Sequence, residues 1–241
     1  MKILPDDVGR LSTSPRSNSN DALAPICEIN EQCLRMLVNA SRHCQLSSDS
    51  FLYHLFSLAN SLDDAGIATA SRFPFLLVDF GFRDAQWWRR VAAKSVRADS
   101  DRSWLVPFPR ATATKLARAT LMLAWHTTRT DAEATRVLLG IGPTVSEAIS
   151  TLRLRDIDRI ADRHFRRLRP RWEDRPAVWR QLLACSRETD VIAAHEFVLH
   201  ALQLTAASAL PTSVAVRAAI RHQPMPVAKD SLSILDPSSN Y

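Results

Sequence analysis

Glycine is scarce in this chain, five residues among 241, and runs that alternate β-branched apolar residues with polar ones are few. A turn-rich all-β domain needs both, so their shortage points to an all-α protein, a multi-helix bundle. No apolar run approaches the roughly 18 to 20 residues that cross a bilayer, and no membrane span is expected. No secretory leader is expected either. Within residues 1–24 the pair Ile3 and Leu4 falls far short of the apolar stretch a leader needs, and this segment is expected to be a disordered tail. The four cysteines, Cys27, Cys33, Cys44 and Cys185, lack the paired CxxC spacing of a zinc site. They are expected to be reduced, in a cytoplasmic protein, with those of the first helix acting as small buried hydrophobes.

Catalytic patterns are equally short. There is no GxSxG, and no Ser, His and acid grouping that spacing singles out. Gly140 and Gly142 lack the third glycine and the preceding strand of a dinucleotide fingerprint. His195, Glu196 and His200 read HExxxH, where a zinc protease has HExxH. Five residues advance a helix by about 500°, which leaves the two imidazoles about 140° apart. The chain is therefore expected to be no enzyme and to hold no metal or cofactor.

What is present is helical punctuation. With 46% hydrophobic residues the chain can bury a real core, as one domain or two small helical subdomains. After the tail at 1–24 comes an amino-terminal helical region, 25–97. Its first helix runs from Pro25 to Gln45, with Ile29, Cys33, Met36, Leu37, Ala40 and Cys44 on the inner stripe. FLYHLFSLANSL follows, apolar almost all round, and a short helix precedes Arg72. The run FPFLLVDFGF suits a buried strand or a helical turn; with no partner strand evident, helix or irregular structure is expected. Asp84 caps DAQWWRRVAAKS.

Residues 98–110, with Pro107 and Pro109, read as a linker or packed loop. A carboxy-terminal helical domain spans 111–222, and a second disordered tail spans 223–241. Its first helix, Thr112 to Thr128, contains LARATLMLAW, which looks fully buried. Asp131 caps a helix running to Leu139, and Thr144 and Glu147 stand at capping-box spacing. A further helix starts near Asp156, burying Ile157, Ile160, Ala161, His164 and Phe165. Pro176 fits the first turn of AVWRQLLACSR, Thr189 caps DVIAAHEFVLHALQLTAASA, and Pro211 opens a last helix, TSVAVRAAIRH. The six tryptophans are expected to anchor helix junctions.

The net charge of +6 is uneven: from Arg153 to Arg180 ten arginines stand against five acids, and lysine is absent. Arg153, Arg155, Arg159, Arg163, Arg166, Arg167, Arg169 and Arg171 are the candidate binding residues. Their forked guanidinium groups suit phosphate or carboxylate. A solvated face would carry the same residues, with Asp162 and Arg166 paired at i, i+4 and Asp158 and Asp162 reaching back to Arg155 and Arg159.

Several features of this stretch carry a likeness. LARATLMLAW, Leu139-Gly140-Ile141, the spaced Leu152 and Leu154, Ile160-Ala161 and the run Arg171-Trp172-Glu173-Asp174 together resemble the D subunit of the bacterial flagellar master transcriptional activator. The likeness spans residues about 115–185. It implies a helical subunit that dimerises and, with a partner C subunit, activates flagellar promoters. This chain differs in its added residues on either side, and Leu168 stands where that family has a cysteine, which argues against an intersubunit disulfide there. Two functions follow. As a transcriptional regulator the protein would bind DNA, its arginines neutralising phosphates. As a non-catalytic adaptor or accessory component of a flagellar or type III secretion apparatus, it would dock an acidic protein on the same face.

Overall fold

Helix α1 (Ser19–His43) turns a broad apolar face inward, burying Ile26, Ile29, Cys33, Leu34, Met36, Leu37, Val38 and Ala40. It starts ahead of Pro25, so residues 19–24 are helix where a tail was expected, and Pro25 lies inside it. This is a computed structural model, and it describes residues 19–43, 59–94, 109–187 and 191–210. Cys44, Trp104, residues 98–108, the helix expected from Phe51, the Thr189 cap, the helix expected after Pro211 and the tail at 223–241 lie outside the described residues.

The chain is all-α. Helix α2 (Asp64–Ser71) is capped by Asp63, whose carboxylate accepts from Gly66 N at 2.7 Å, and α3 (Ala85–Ala92) by Asp84, which accepts from Trp87 N at 2.9 Å. Then come α4 (Arg110–Thr130), α5 (Ala132–Val137), α6 (Pro143–Ser150), α7 (Leu154–His164), α8 (Pro176–Cys185) and α9 (Val191–Ser208). The Asp131 carboxylate accepts from Glu133 N and Ala134 N, as its position before α5 predicts. Pro176 opens α8 at the first turn.

Two local expectations are corrected. The capping box at Thr144 does not form: α6 opens on Pro143 with Gly142 as its cap, because proline already has the helical φ and its missing amide is one that the first turn leaves unbonded in any case. LARATLMLAW is buried on one side only. Leu116, Ala117, Thr120, Leu121 and Ala124 face the core, and Arg118 and Met122 face solvent.

Helix α4 is the hub, packing against α1, α5, α6 and α7. One continuous core joins residues from 25–97 to residues from 111–222, and the described residues up to Ala209 form one compact unit, so the two helical regions share a single interior. Trp87, Trp88 and Trp179 are fully buried, Trp172 nearly so, and Trp125 is half-buried with its indole N–H donating to Leu152 O at 2.8 Å. Each large buried side chain adds about 1.5 to 3 kcal/mol of apolar burial.

The run FPFLLVDFGF is irregular apart from a two-residue strand β1 (Val78–Asp79), and this strand has a partner. It pairs antiparallel with β2 (Arg169–Pro170), Val78 opposite Pro170 and Asp79 opposite Arg169. Two residues show no period, so the pairing left no mark on the sequence pattern. The rest of the run needs other partners for its buried amides and carbonyls. Asn30, on the inner face of α1, supplies them. Its amide nitrogen donates to Ser71 O, Phe73 O and Phe75 O, and its oxygen accepts from Leu77 N at 2.8 Å.

A basic cleft beside an arginine-rich helix

The eight candidate arginines separate into three groups. Arg171 is buried. Its backbone N–H donates to Leu77 O at 2.7 Å, and its guanidinium donates to Leu139 O at 2.5 Å and, more weakly, to Val78 O at 3.5 Å. Burial pulls its pKa down to about 10, against the attraction of Asp79. Gly140 makes room for it: at φ +67° a Cβ there would lie 2.6 Å from the guanidinium. Arg171 is therefore removed from the candidate binding residues, since a charge with two carbonyl partners in the interior is inaccessible to a ligand.

Arg159, Arg167 and Arg169 are committed to carboxylates. Arg167 lies over the Trp87 ring, 4.1 Å from its centre, and donates to Asp84 at 2.9 Å. One carboxylate thus caps α3 with one oxygen and fastens the 3-10 turn Phe165–Arg167 with the other. Arg169 pairs with Glu173 and Arg159 with Asp156, both at 2.8 Å. The expected pairs of Asp158 and Asp162 with arginines of their own helix do not form. Asp158 pairs with Arg118 at 2.8 Å and Asp162 approaches Arg110 at 3.6 Å, because α4 lies alongside α7 and presents these cations.

Arg153, Arg155, Arg163 and Arg166 are exposed and have no ion pair among the described residues. Arg166 reaches over Phe165. Arg153 and Arg155 sit at the start of α7, where the helix dipole disfavours a cation; Asp156 offsets it in part, accepting from Arg153 N at 3.2 Å. Ile157, Ile160, Ala161 and His164 are buried as their spacing predicts, whereas Phe165 is half-buried beyond the helix end.

A cleft of about 250 Å³ opens between the end of α3 and the α6–α7 junction. Val91, Leu152 and Ile160 give it an apolar floor beside His164, and its rim carries Lys94, Arg153, Arg159 and Arg163 with Asp156 as the single acid among the described residues. Lys94 is the functional candidate that the sequence pattern missed. It lies outside the arginine-rich stretch, and only the packing of α3 on α6 brings it there. Its backbone is left-handed, φ +55°, closing α3 with a bond from Lys94 N to Val91 O at 2.9 Å. That is the position where helices place glycine, and a side chain there costs about 1 kcal/mol.

The remaining candidate groups lie elsewhere. His195 and His200 are both exposed on α9, and the His195 ring bonds Val191 O within its own helix. Cys33 is buried, with its thiol pushed up to about 12 by desolvation, and the half-buried Cys27 is raised for the same reason. Fold and cleft together define an all-helical protein with a basic, partly apolar depression, and among the described residues no helix is long and apolar enough to cross a membrane. Comparison with protein-family models, curated proteins and solved structures gave no match.

Proposed function

We propose that this protein is a helical adaptor that docks an acidic segment of another protein along the arginine-bearing side of α7. The observation that supports this reading is the division of charge on that helix. Arg153, Arg155, Arg163 and Arg166 have no ion pair among the described residues, while the acids of the same face, Asp158 and Asp162, are engaged by α4. An acidic chain lying there meets guanidinium groups that no described carboxylate neutralises.

The regulator reading suits this geometry less well. A helix that enters a DNA groove must present its outer face to two phosphate rails. Helix α4 lies alongside α7, bridged to it through Arg118–Asp158 and Arg110–Asp162, and occupies space that a groove wall would need.

Fluorescence anisotropy of the full chain with labelled polyglutamate and with a random-sequence duplex, each across a salt series, tests the proposal. Polyglutamate is expected to bind, with affinity falling as salt rises. Arg155→Ala and Arg163→Ala should each weaken it and flatten its salt dependence. Tighter binding to the duplex, with a log-log salt slope that loses about one unit per arginine removed, would replace the adaptor with the regulator.

A further inference from the structure

The cleft differs from the rest of the basic face in having walls, an apolar floor and converging charge. We infer that it receives a phosphate monoester, a phosphorylated side chain of the docked segment; this rests on the adaptor reading and adds a chemical specificity to it. Lys94, Arg153 and Arg163 reach its rim from three separate places, the end of α3, the α6–α7 junction and the second half of α7. Among the described residues none has an ion pair, and the one acid at the rim, Asp156, is held by Arg159 at 2.8 Å.

A single carboxylate would leave most of that charge unanswered. A phosphoryl group brings close to two negative charges and three acceptor oxygens, which three cations arriving from different directions can share. The apolar floor of Val91, Leu152 and Ile160 then lies against the carbon stem that bears the phosphate. A duplex backbone fits poorly, because its phosphates run along a surface, whereas this is a depression lined by residues of α3, the α6–α7 junction and α7. Lys94 adds a separate argument. Glycine would suit its backbone better, so the lysine at that position costs stability and supplies a charge to the cleft.

The test uses the full chain with a polyglutamate peptide, the same peptide with one central phosphoserine, and inorganic phosphate. The phosphopeptide is expected to bind about tenfold more tightly than its unphosphorylated counterpart, the scale of one or two charge-assisted hydrogen bonds. Lys94→Gly should lose about tenfold in phosphopeptide affinity while melting no lower than the parent, since the glycine relaxes the left-handed turn. Arg153→Gln should lose a similar factor, and Lys115→Ala, an exposed cation of α4 away from the cleft, should change neither affinity. Equal affinity for both peptides overturns the phosphate site and leaves the adaptor reading standing. Binding to neither peptide overturns both. Inorganic phosphate binding as tightly as the phosphopeptide would assign the cleft to a small free phosphate and overturn its role in docking.

Discussion

The two ends of one arginine-rich stretch do opposite things. From Arg153 to Arg166 the guanidinium groups stand outside the core, and four of them have no ion pair among the described residues. From Arg167 to Arg171 they are tied, Arg167 to the Asp84 cap, Arg169 to the part-exposed Glu173 and Arg171, in the interior, to the carbonyls of Leu139 and Val78. Residue type is constant across the boundary. The difference is what packing brings within reach: Asp84 of the α3 cap for Arg167, Glu173 for Arg169, and the Leu139 and Val78 carbonyls for Arg171. Arginine thus serves as a structural tie in one half and as an open cation in the other, and only the first use should be felt by the fold.

The largest break in that contrast is expected from Arg171→Ala. It leaves the Leu139 and Val78 carbonyls and Asp79 without their buried cation, and should lower unfolding free energy by about 3 kcal/mol or more in chemical denaturation. A loss below 1 kcal/mol would mean that the buried end is no tie. Gly140→Ala attacks the same contact from its other side, combining a left-handed backbone with a Cβ pressed against the guanidinium and Thr205 O. About 2 kcal/mol is expected from the same measurement. Arg167→Ala removes a partly solvated ion pair and a ring contact, for about 1 kcal/mol.

A pH prediction separates interior from surface without touching an arginine. The Cys33 thiol is raised in the fold to about 12, so the unfolded chain loses that proton first, and stability falls as pH rises above the ordinary value of 9.0. Arg171 acts in the opposite sense, because its depressed folded pKa makes stability rise with pH between about 10 and its ordinary 12.5. Between pH 9 and 10 only the thiol contributes of these two. The stability difference between parent and Cys33→Ala should narrow by about 1 kcal/mol from pH 8.5 to 10, read by urea denaturation. A constant difference would place Cys33 in contact with water. The smallest effect belongs to Arg163→Ala, whose stability should stay within about 0.5 kcal/mol of the parent while polyglutamate binding weakens.

The helical class, the caps at Asp84 and Asp131, the start of α8 at Pro176 and the buried row Ile157, Ile160, Ala161 and His164 were all legible in the chain. Each depends on residues within about one helical turn of one another, and such a distance is visible along a sequence. The excess of arginine was legible too. Its division was not, because an ion pair is settled by distance through space. Asp158 has arginines of its own helix close by and meets Arg118 of α4, Asp162 likewise meets Arg110, and Arg167 finds Asp84 across 83 residues. The partnership of Asn30 with the run after Ser71 and the arrival of Lys94 at the cleft have the same origin. Local spacing decided where the helices lie and which side of each is apolar. Tertiary packing decided which charges are satisfied, because burial and the choice of partner depend on what a distant segment brings within a few ångströms.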